Sequence, residues 1–539
     1  MSKKNSFVKQ ASFLMIAGLL VRVIGLLYRP VMKANIGELG YAYYGYAYNV
    51  YFILLLISGY SIPVAVSKLM SERLAKKQYR NAQKVFKGSL AYVFLVGGLA
   101  SLVAFVFAEQ LLPKGGEDAV LALRVLAPTI LLAGILGVLR GYFQAHNNML
   151  PTSISQILES LVNAVIAISM GAVFIRMFAT DDNTHAMYGA AGSTMGPGAG
   201  VVVGILFMIL VFAVNRSYIQ RKIARDRSGV EESWGDVAKT ILFMLTPVIF
   251  STCLYNVSAY INQTVFAPIM IGKGFDGKEV AKMYSQFNNM YLVLINVPIA
   301  LANSSSTAMI PAVTGNYALG KFREAKDQID QGIRMTMFIA IPAAVGLSVL
   351  AFPIMRLLFG ANTDMAGWML VTGGIAVLFY SLSTITNGVL QGIGKQTIPL
   401  CNAAISLVAD VAILVVLTKF TSLGAYAVMI ANLAYGVIMC VLNQLALRKY
   451  LHYRNEYKKT YLEPLAAAAG MGILAWMVYY ALSIVIKSNL LCLIPAILLA
   501  VVAYLLLYVK ISHISEEELR RFPMGTKLVL VLRKLGIFS

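Results

Sequence analysis

Apolar residues in this chain come in long, nearly unbroken runs separated by short polar loops. Each run is about the 20 residues that a helix needs to cross a bilayer. About fourteen such runs lie at 10–33, 42–67, 88–112, 120–144, 151–177, 188–214, 237–265, 283–311, 333–358, 366–391, 397–418, 424–447, 464–486 and 489–510. The pattern predicts an all-α polytopic membrane protein with 14 transmembrane helices. No stretch between the runs is long enough for a soluble domain of the usual size.

Composition agrees: of 539 residues, 59% are hydrophobic and 13% charged, with a mean hydropathy of +0.73, where a soluble domain is about 25% charged. The net charge of +21 comes from 45 Lys+Arg against 24 Asp+Glu. In a soluble chain that excess would point to nucleic acid; here its placement records topology. Lys3, Lys4 and Lys9 precede the first span, and Lys68, Arg73, Lys76, Lys77, Arg80, Lys84 and Lys87 follow the second. Further basic clusters follow spans 6, 8 and 12 and fill the tail, while the alternate loops hold few basic residues. The positive-inside rule places both termini in the cytoplasm, which requires an even number of spans. Cys253, Cys401, Cys440 and Cys492 show no metal-ligand spacing and imply no disulfide framework. No metal, cofactor or nucleic-acid partner is expected. The N-terminal run carries Arg22 and Arg29 and lacks the small-residue site of a cleavable signal.

A repeat at a spacing of roughly 245 residues organises the spans. Gly141-Tyr-Phe-Gln144 before Pro151 is echoed by Gly388-Val-Leu-Gln391 before Pro399, and Ser160-Leu-Val by Ser406-Leu-Val. The expected division is an N-lobe at 1–214, a cytoplasmic linker at 215–236, a C-lobe at 237–447, two added helices at 448–510 and a cytoplasmic amphipathic tail at 511–539. Six spans per copy return the chain to its starting side, so the two six-helix lobes form a parallel repeat with a site in the cleft between them. That is a transporter's architecture and not an enzyme's.

Charges inside spans cost about 2.5–3.5 kcal/mol each at mid-bilayer, so they carry the chemical argument. Gly18, Arg22, Gly25 and Arg29 recur at spacings of four, three and four, on one helical face. Such a stripe suits a large anion, since Arg pairs well with phosphate oxygens. Arg22 points to a water-filled cavity; Arg29 either shares it or snorkels to the interface. Asn256, Tyr260 and Gln263 form a polar stripe in span 7 at i, i+4 and i+7, and Asn49, Asn288 and Asn289 add amides in spans 2 and 8. These suit sugar hydroxyls or serve as glue between helices. The tyrosines at 41–44 read as an interfacial aromatic belt. Glu159 and Asp410 occupy corresponding spans and either couple transport to H⁺ or Na⁺ or form ion pairs, Arg140 being the partner expected for Glu159. Gly192, Gly196, Gly200 and Gly204 form a small-residue stripe for tight helix packing.

Arg22-Val-Ile-Gly-Leu-Leu-Tyr-Arg29-Pro30, the tyrosine-rich run from Gly40 to Tyr51, and Pro63-Val-Ala-Val-Ser-Lys68 with its basic loop resemble the polysaccharide transporter (oligosaccharide flippase) family of the multidrug/oligosaccharidyl-lipid/polysaccharide exporter superfamily. The likeness includes its stage V sporulation protein B-type and MurJ-type branches. The resemblance implies a monomeric flippase in a bacterial cytoplasmic membrane. It implies a cavity lined by spans 1, 2, 7 and 8, a lipid-tail groove at spans 13 and 14, and a polyprenyl-diphosphate-linked glycan as partner. Within that resemblance Arg22 and Arg29 are the expected diphosphate contacts. The alternative is a cation-coupled multidrug exporter of the MATE type, which favours an acidic cavity where span 1 here is basic.

Overall fold

The computed structural model describes residues 3–512 apart from Ser61, Asn147, Arg225, Arg227, Ser228 and Arg454, with Glu516, Val529 and Arg533 beyond them. Side chains are described from Ala17 onward except at Tyr60, Tyr218, Lys222, Pro247, Val248, Ser251, 302–308, Pro311 and Ala312. The tail expected at 511–539 lies largely outside the described residues. Every regular element among the described residues is helical. Among the described residues, ten helical stretches are long and apolar enough to cross a membrane. They become eleven when Asp364–Gly373 and Ala376–Gly392, bent 54° against each other, count as one span. Of the fourteen spans expected, 10–33 and 42–67 share one of these stretches. The segments 237–265 and 283–311 run along Trp234–Asn256, Ser258–Gly272 and Leu292–Ala318, helices outside the ten.

The chain divides into two compact units, Met1–Ser285 and Gln286–Ser539. The first opens with the helix Lys3–Leu55, broken at Gly37 (φ 74°, ψ 175°), a backbone region essentially restricted to glycine. The break has a large consequence. Tyr28 and Tyr44 would stand about 24 Å apart along a straight helix at ~1.5 Å per residue, yet their hydroxyls lie 3.4 Å apart. The chain therefore folds back at Gly37 and faces the two halves of the helix toward each other. Tyr41, Tyr43, Tyr44 and Tyr46 are buried to 1–3% exposure. This corrects the aromatic-belt expectation: the tyrosines pack inside the protein, because the bend turns them away from the surface.

The glycine stripe packs as expected. A Cβ at Gly192 would run into the Met170 carbonyl, and one at Gly200 would meet the Glu159 carbonyl at 2.5 Å. Asp182–Ser193 and Met195–Val214 thus press their glycines onto the helix Leu150–Phe178, backbone against backbone. Asp181 caps the first of these with a reciprocal pair of bonds to Thr184; those Thr184 backbone and side-chain bonds hold its carboxyl below the usual range.

Val237, Ile241 and Leu245 of Trp234–Asn256 join Val85, Phe86, Val93, Leu136, Tyr142 and Met208 in one core. Ahead of that helix, Val230 and Glu232 are strapped to the helices Ile62–Ala75 and Tyr79–Val106. Arg73 grips Glu232 through Nε (2.9 Å) and Nη2 (2.6 Å). Asn81, fully buried, donates to the Val230 carbonyl (2.9 Å) and accepts from the Glu232 amide (3.1 Å). Lys84 donates to the Glu232 carbonyl (2.9 Å). The segment that the repeat assigns to the start of the second copy is thereby packed into the first compact unit. A repeat records sequence and a compact unit records packing, and the two divide the chain differently.

In the second unit Phe322–Val349 is the central helix. The C-terminal pair Glu463–Val485 and Asn489–Ser512 seats on it: a Cβ at Gly472 would meet Val345 at 2.9 Å, and Tyr504 donates to the Phe338 carbonyl at 2.9 Å. The outer faces of the pair expose Ile473, Trp476, Ile484 and Val485, as expected of helices solvated by lipid.

Two substitutions test these features. Gly37→Ala is expected to cost about 1–3 kcal/mol, read as a lower unfolding midpoint in detergent. Gly25→Ala, at a helical site with nothing within 4 Å of the added Cβ, should be neutral or stabilising. Glu232→Arg should cost about 2 kcal/mol, and pairing it with Arg73→Glu should recover at least half of the loss.

Candidate functional site

The expected span-1 stripe lies on an open face. A Cβ added at Gly18 or Gly25 meets nothing within 4 Å, and Arg22 between them is exposed. About two turns beyond, Arg29 is half-buried and within electrostatic reach of Tyr28, Tyr41, Tyr44 and Tyr48. Tyr41 stacks on Tyr44 (6.4 Å between centroids) and Tyr44 on Tyr48 (5.8 Å). Glu159 acts on Tyr48 and is paired with Arg140, 2.6 Å away, which also donates to the Ser155 hydroxyl at 2.9 Å. Arg140 and Glu159 therefore pair, at 12% and 31% side-chain exposure.

The polar stripe of span 7 divides. Gln263 is fully buried and accepts from the Asn49 amide at 2.8 Å, so the structure joins these two expected site residues. Tyr260 donates to the Leu111 carbonyl (3.1 Å), at the end of the short helix Ala108–Leu111. Asn256 does not share their surroundings: it is exposed and its amide donates to the Thr252 carbonyl of its own helix (2.8 Å). That helix ends at Asn256 and the next begins at Ser258, with Val257 between them in helical conformation. In the second unit Asn288 donates to Asn289 (2.9 Å) within a π-helical turn, Gln286–Tyr291, a distortion common at functional sites.

Asp410 is fully buried and follows Asn402 and Ser406 at four-residue spacing along Thr397–Phe420. Beside it runs an amide network that sequence reading missed. Asn402 donates to Asn443 (2.9 Å), and Asn443 donates to Thr386 (3.1 Å) and Asn387 (2.6 Å). The signal was present as the polar stripe Asn402, Ser406, Asp410 and Thr418, all on the buried face. The strap residues Arg73, Asn81 and Lys84 were missed as well; Glu231-Glu232 inside an otherwise basic loop was their signature.

Apolar helices, an arginine among neutral phenols and buried amide seams define a polytopic α-helical membrane transporter. The chain belongs to the polysaccharide biosynthesis protein family, whose model matches residues 7–317, and residues 289–416 match the MatE family. It is 24% identical to the lipid II flippase MurJ of Bacillus subtilis (strain 168), covering 90% of each chain. It is also 24% identical to stage V sporulation protein B of the same organism, covering 98% of this chain and 99% of that one. Among solved structures it superposes on a lipid II flippase MurJ in an inward closed conformation (TM-score 0.61, 16% identity, 92% of this chain and 97% of that one). It also superposes on an inward-facing multidrug resistance MATE family transporter of the MOP superfamily (TM-score 0.66, 18% identity, 83% and 98%). The protein is a multi-pass protein of the bacterial cytoplasmic membrane.

The Arg140–Glu159 pair gives a direct test. Glu159→Gln should destabilise by about 2 kcal/mol, and Arg140→Gln added to it should cost little more, measured as a double-mutant cycle of unfolding in detergent.

Proposed function

We propose that the protein is a flippase that moves an undecaprenyl-diphosphate-linked saccharide, lipid II or a related cell-wall or polysaccharide precursor, across the cytoplasmic membrane by alternating access. It is not an enzyme in this reading, and it works as a monomer with both termini in the cytoplasm. Arg22 and Arg29 contact the diphosphate, Asn49, Gln263, Tyr260, Asn288 and Asn289 belong to the saccharide region, and spans 13 and 14 guide the lipid tail. The six-helix lobes at 1–214 and 237–447 are the moving parts.

The observation that carries the reading is the half-buried Arg29 of the first span, within electrostatic reach of four tyrosines. A cation placed at membrane depth favours an anionic ligand. Full-length likeness to two proteins of the flippase class adds to it. The Arg140–Glu159 bond favours a structural ion pair for Glu159, whereas Asp410, buried beside amides, is the stronger candidate for H⁺ or Na⁺ coupling. The match of 289–416 to the MatE family keeps a cation-coupled multidrug exporter as the second reading, though a basic span 1 is poorly suited to cationic drugs.

The test is leaflet exchange in liposomes with fluorescent lipid II, a second polyprenyl-diphosphate-linked glycan and a cationic dye. Exchange of either lipid, lowered about tenfold or more by Arg22→Ala, is expected, one lost charge-assisted contact being worth ~1.5–3 kcal/mol. Dye efflux without lipid exchange would establish the second reading.

A further inference from the structure

The π-helical turn Gln286–Tyr291 braces the neighbouring helix Asp364–Gly373 at both of its ends. The first N–H groups of a helix and its last carbonyls have no partner inside it, and a bilayer has no water to supply one. At the N-terminus of Asp364–Gly373 the cap residue, Thr363, makes no side-chain cap bond. Gln286 supplies one from the other helix: its Oε1 accepts from the Ala366 amide at 3.0 Å, and its Nε2 donates to the Asn362 carbonyl at 3.2 Å. At the C-terminus the Tyr291 hydroxyl donates to the Gly373 carbonyl at 2.8 Å. That phenol is fully buried and stacked on Phe287, 5.7 Å between centroids.

The irregular turn is what lets one short segment reach both ends. Five residues along an α-helix carry a side chain round by about 500°, so Gln286 and Tyr291 would face roughly 140° apart. The i→i+5 bonding of a π turn brings positions five apart nearly over one another, and both then face Asp364–Gly373. Asn288 and Asn289 sit midway between them, on the opposite side of the turn. Asn289 is 6% exposed and Asn288 half-buried, and the Asn288 Nδ2 donates to the Asn289 Oδ1 at 2.9 Å. A primary amide has two donors and an acceptor, so such a pair can both donate to and accept from the hydroxyl and acetamido groups of a neutral sugar. A site built to hydrogen-bond a sugar rejects a ligand without one, because its polar groups are then left unpaired. That discrimination is sharp where the groups are held in place.

We propose that Gln286 and Tyr291 are positioning residues: by bracing the π turn against Asp364–Gly373 they set the Asn288–Asn289 pair, and the pair so set distinguishes a saccharide-bearing lipid from the bare carrier. The inference rests on the flippase reading and deepens it, assigning saccharide specificity to one braced turn of the eighth span.

Full-length protein in liposomes tests it, with the initial rate of leaflet exchange titrated for fluorescent lipid II, undecaprenyl-diphospho-N-acetylglucosamine and bare undecaprenyl diphosphate. Binding of the same lipids to the detergent-solubilised protein is followed in parallel by native mass spectrometry. Gln286→Leu and Tyr291→Phe are each expected to raise the half-saturating concentration of the preferred glycosylated lipid about three- to tenfold and leave that of undecaprenyl diphosphate within about twofold. Asn288→Ala with Asn289→Ala should show the same loss, and Gln286→Leu added to that background should have no further effect, because the glutamine acts through the pair. Tyr284→Phe removes a buried hydroxyl that lies ahead of the turn and donates to Ala259, and should leave the preference between the lipids unchanged. A parallel loss for glycosylated and bare lipid in Gln286→Leu and Tyr291→Phe, or a lower unfolding midpoint with the preference unchanged, marks a merely structural brace and would overturn the proposal. So would a wild-type protein that prefers neither glycosylated lipid to the bare carrier. If no lipid is exchanged but Gln286→Leu and Tyr291→Phe still weaken binding of a glycosylated lipid alone, the brace stands and the flippase reading fails.

Discussion

A bilayer offers no water to an unsatisfied carbonyl, so each place where a helix stops inside the membrane needs a donor from the protein. Tyrosine meets that need repeatedly in this chain. Tyr260 donates to Leu111 at the end of Ala108–Leu111, and Tyr291 donates at 2.8 Å to Gly373, where the bent pair turns. Tyr284, Tyr380 and Tyr504 donate instead to carbonyls within helices, those of Ala259, Asn432 and Phe338. A phenol suits the task because its ring packs as an apolar body while its single O–H reaches a carbonyl. The close approach at Gly373 also requires a glycine: a Cβ there would lie 2.5 Å from the Tyr291 hydroxyl.

The same economy of partners governs the charges. Arg73 and Glu232 satisfy each other in the strap, and Arg140 and Glu159 do so within the first unit. These ion pairs hold helices and loops in place and leave no charge over. Arg29 differs in lying within electrostatic reach of tyrosines.

Much of the fold was legible because its causes are local. Apolar runs of bilayer length define the helices, the four-residue glycine spacing at 192–204 defines a packing face, and Arg140 and Glu159 lie on neighbouring spans with complementary charge. The tyrosine run was misread because its burial depends on a bend, and residue types alone do not show which way a bent helix faces. Asn256 was misplaced for a different reason: its spacing to Tyr260 and Gln263 does not show that its own position is exposed, with its amide turned to the Thr252 carbonyl. The amide network around Asn443 joins three helices, and no single helix's periodicity contains it.

By itself, the sequence determined that this is a helical membrane protein with basic loops, an arginine-bearing first span and the residues of its family. Those properties follow from hydrophobicity, charge placement and helical period, all of which act within one segment. Only the tertiary structure decided that Gly37 folds Arg29 among tyrosines, that Glu159 is committed to Arg140, and that Asn49 meets Gln263 across more than two hundred residues. Each of those outcomes depends on where the backbone turns and which helices then touch. Partner choice in a low-dielectric interior is settled by that proximity.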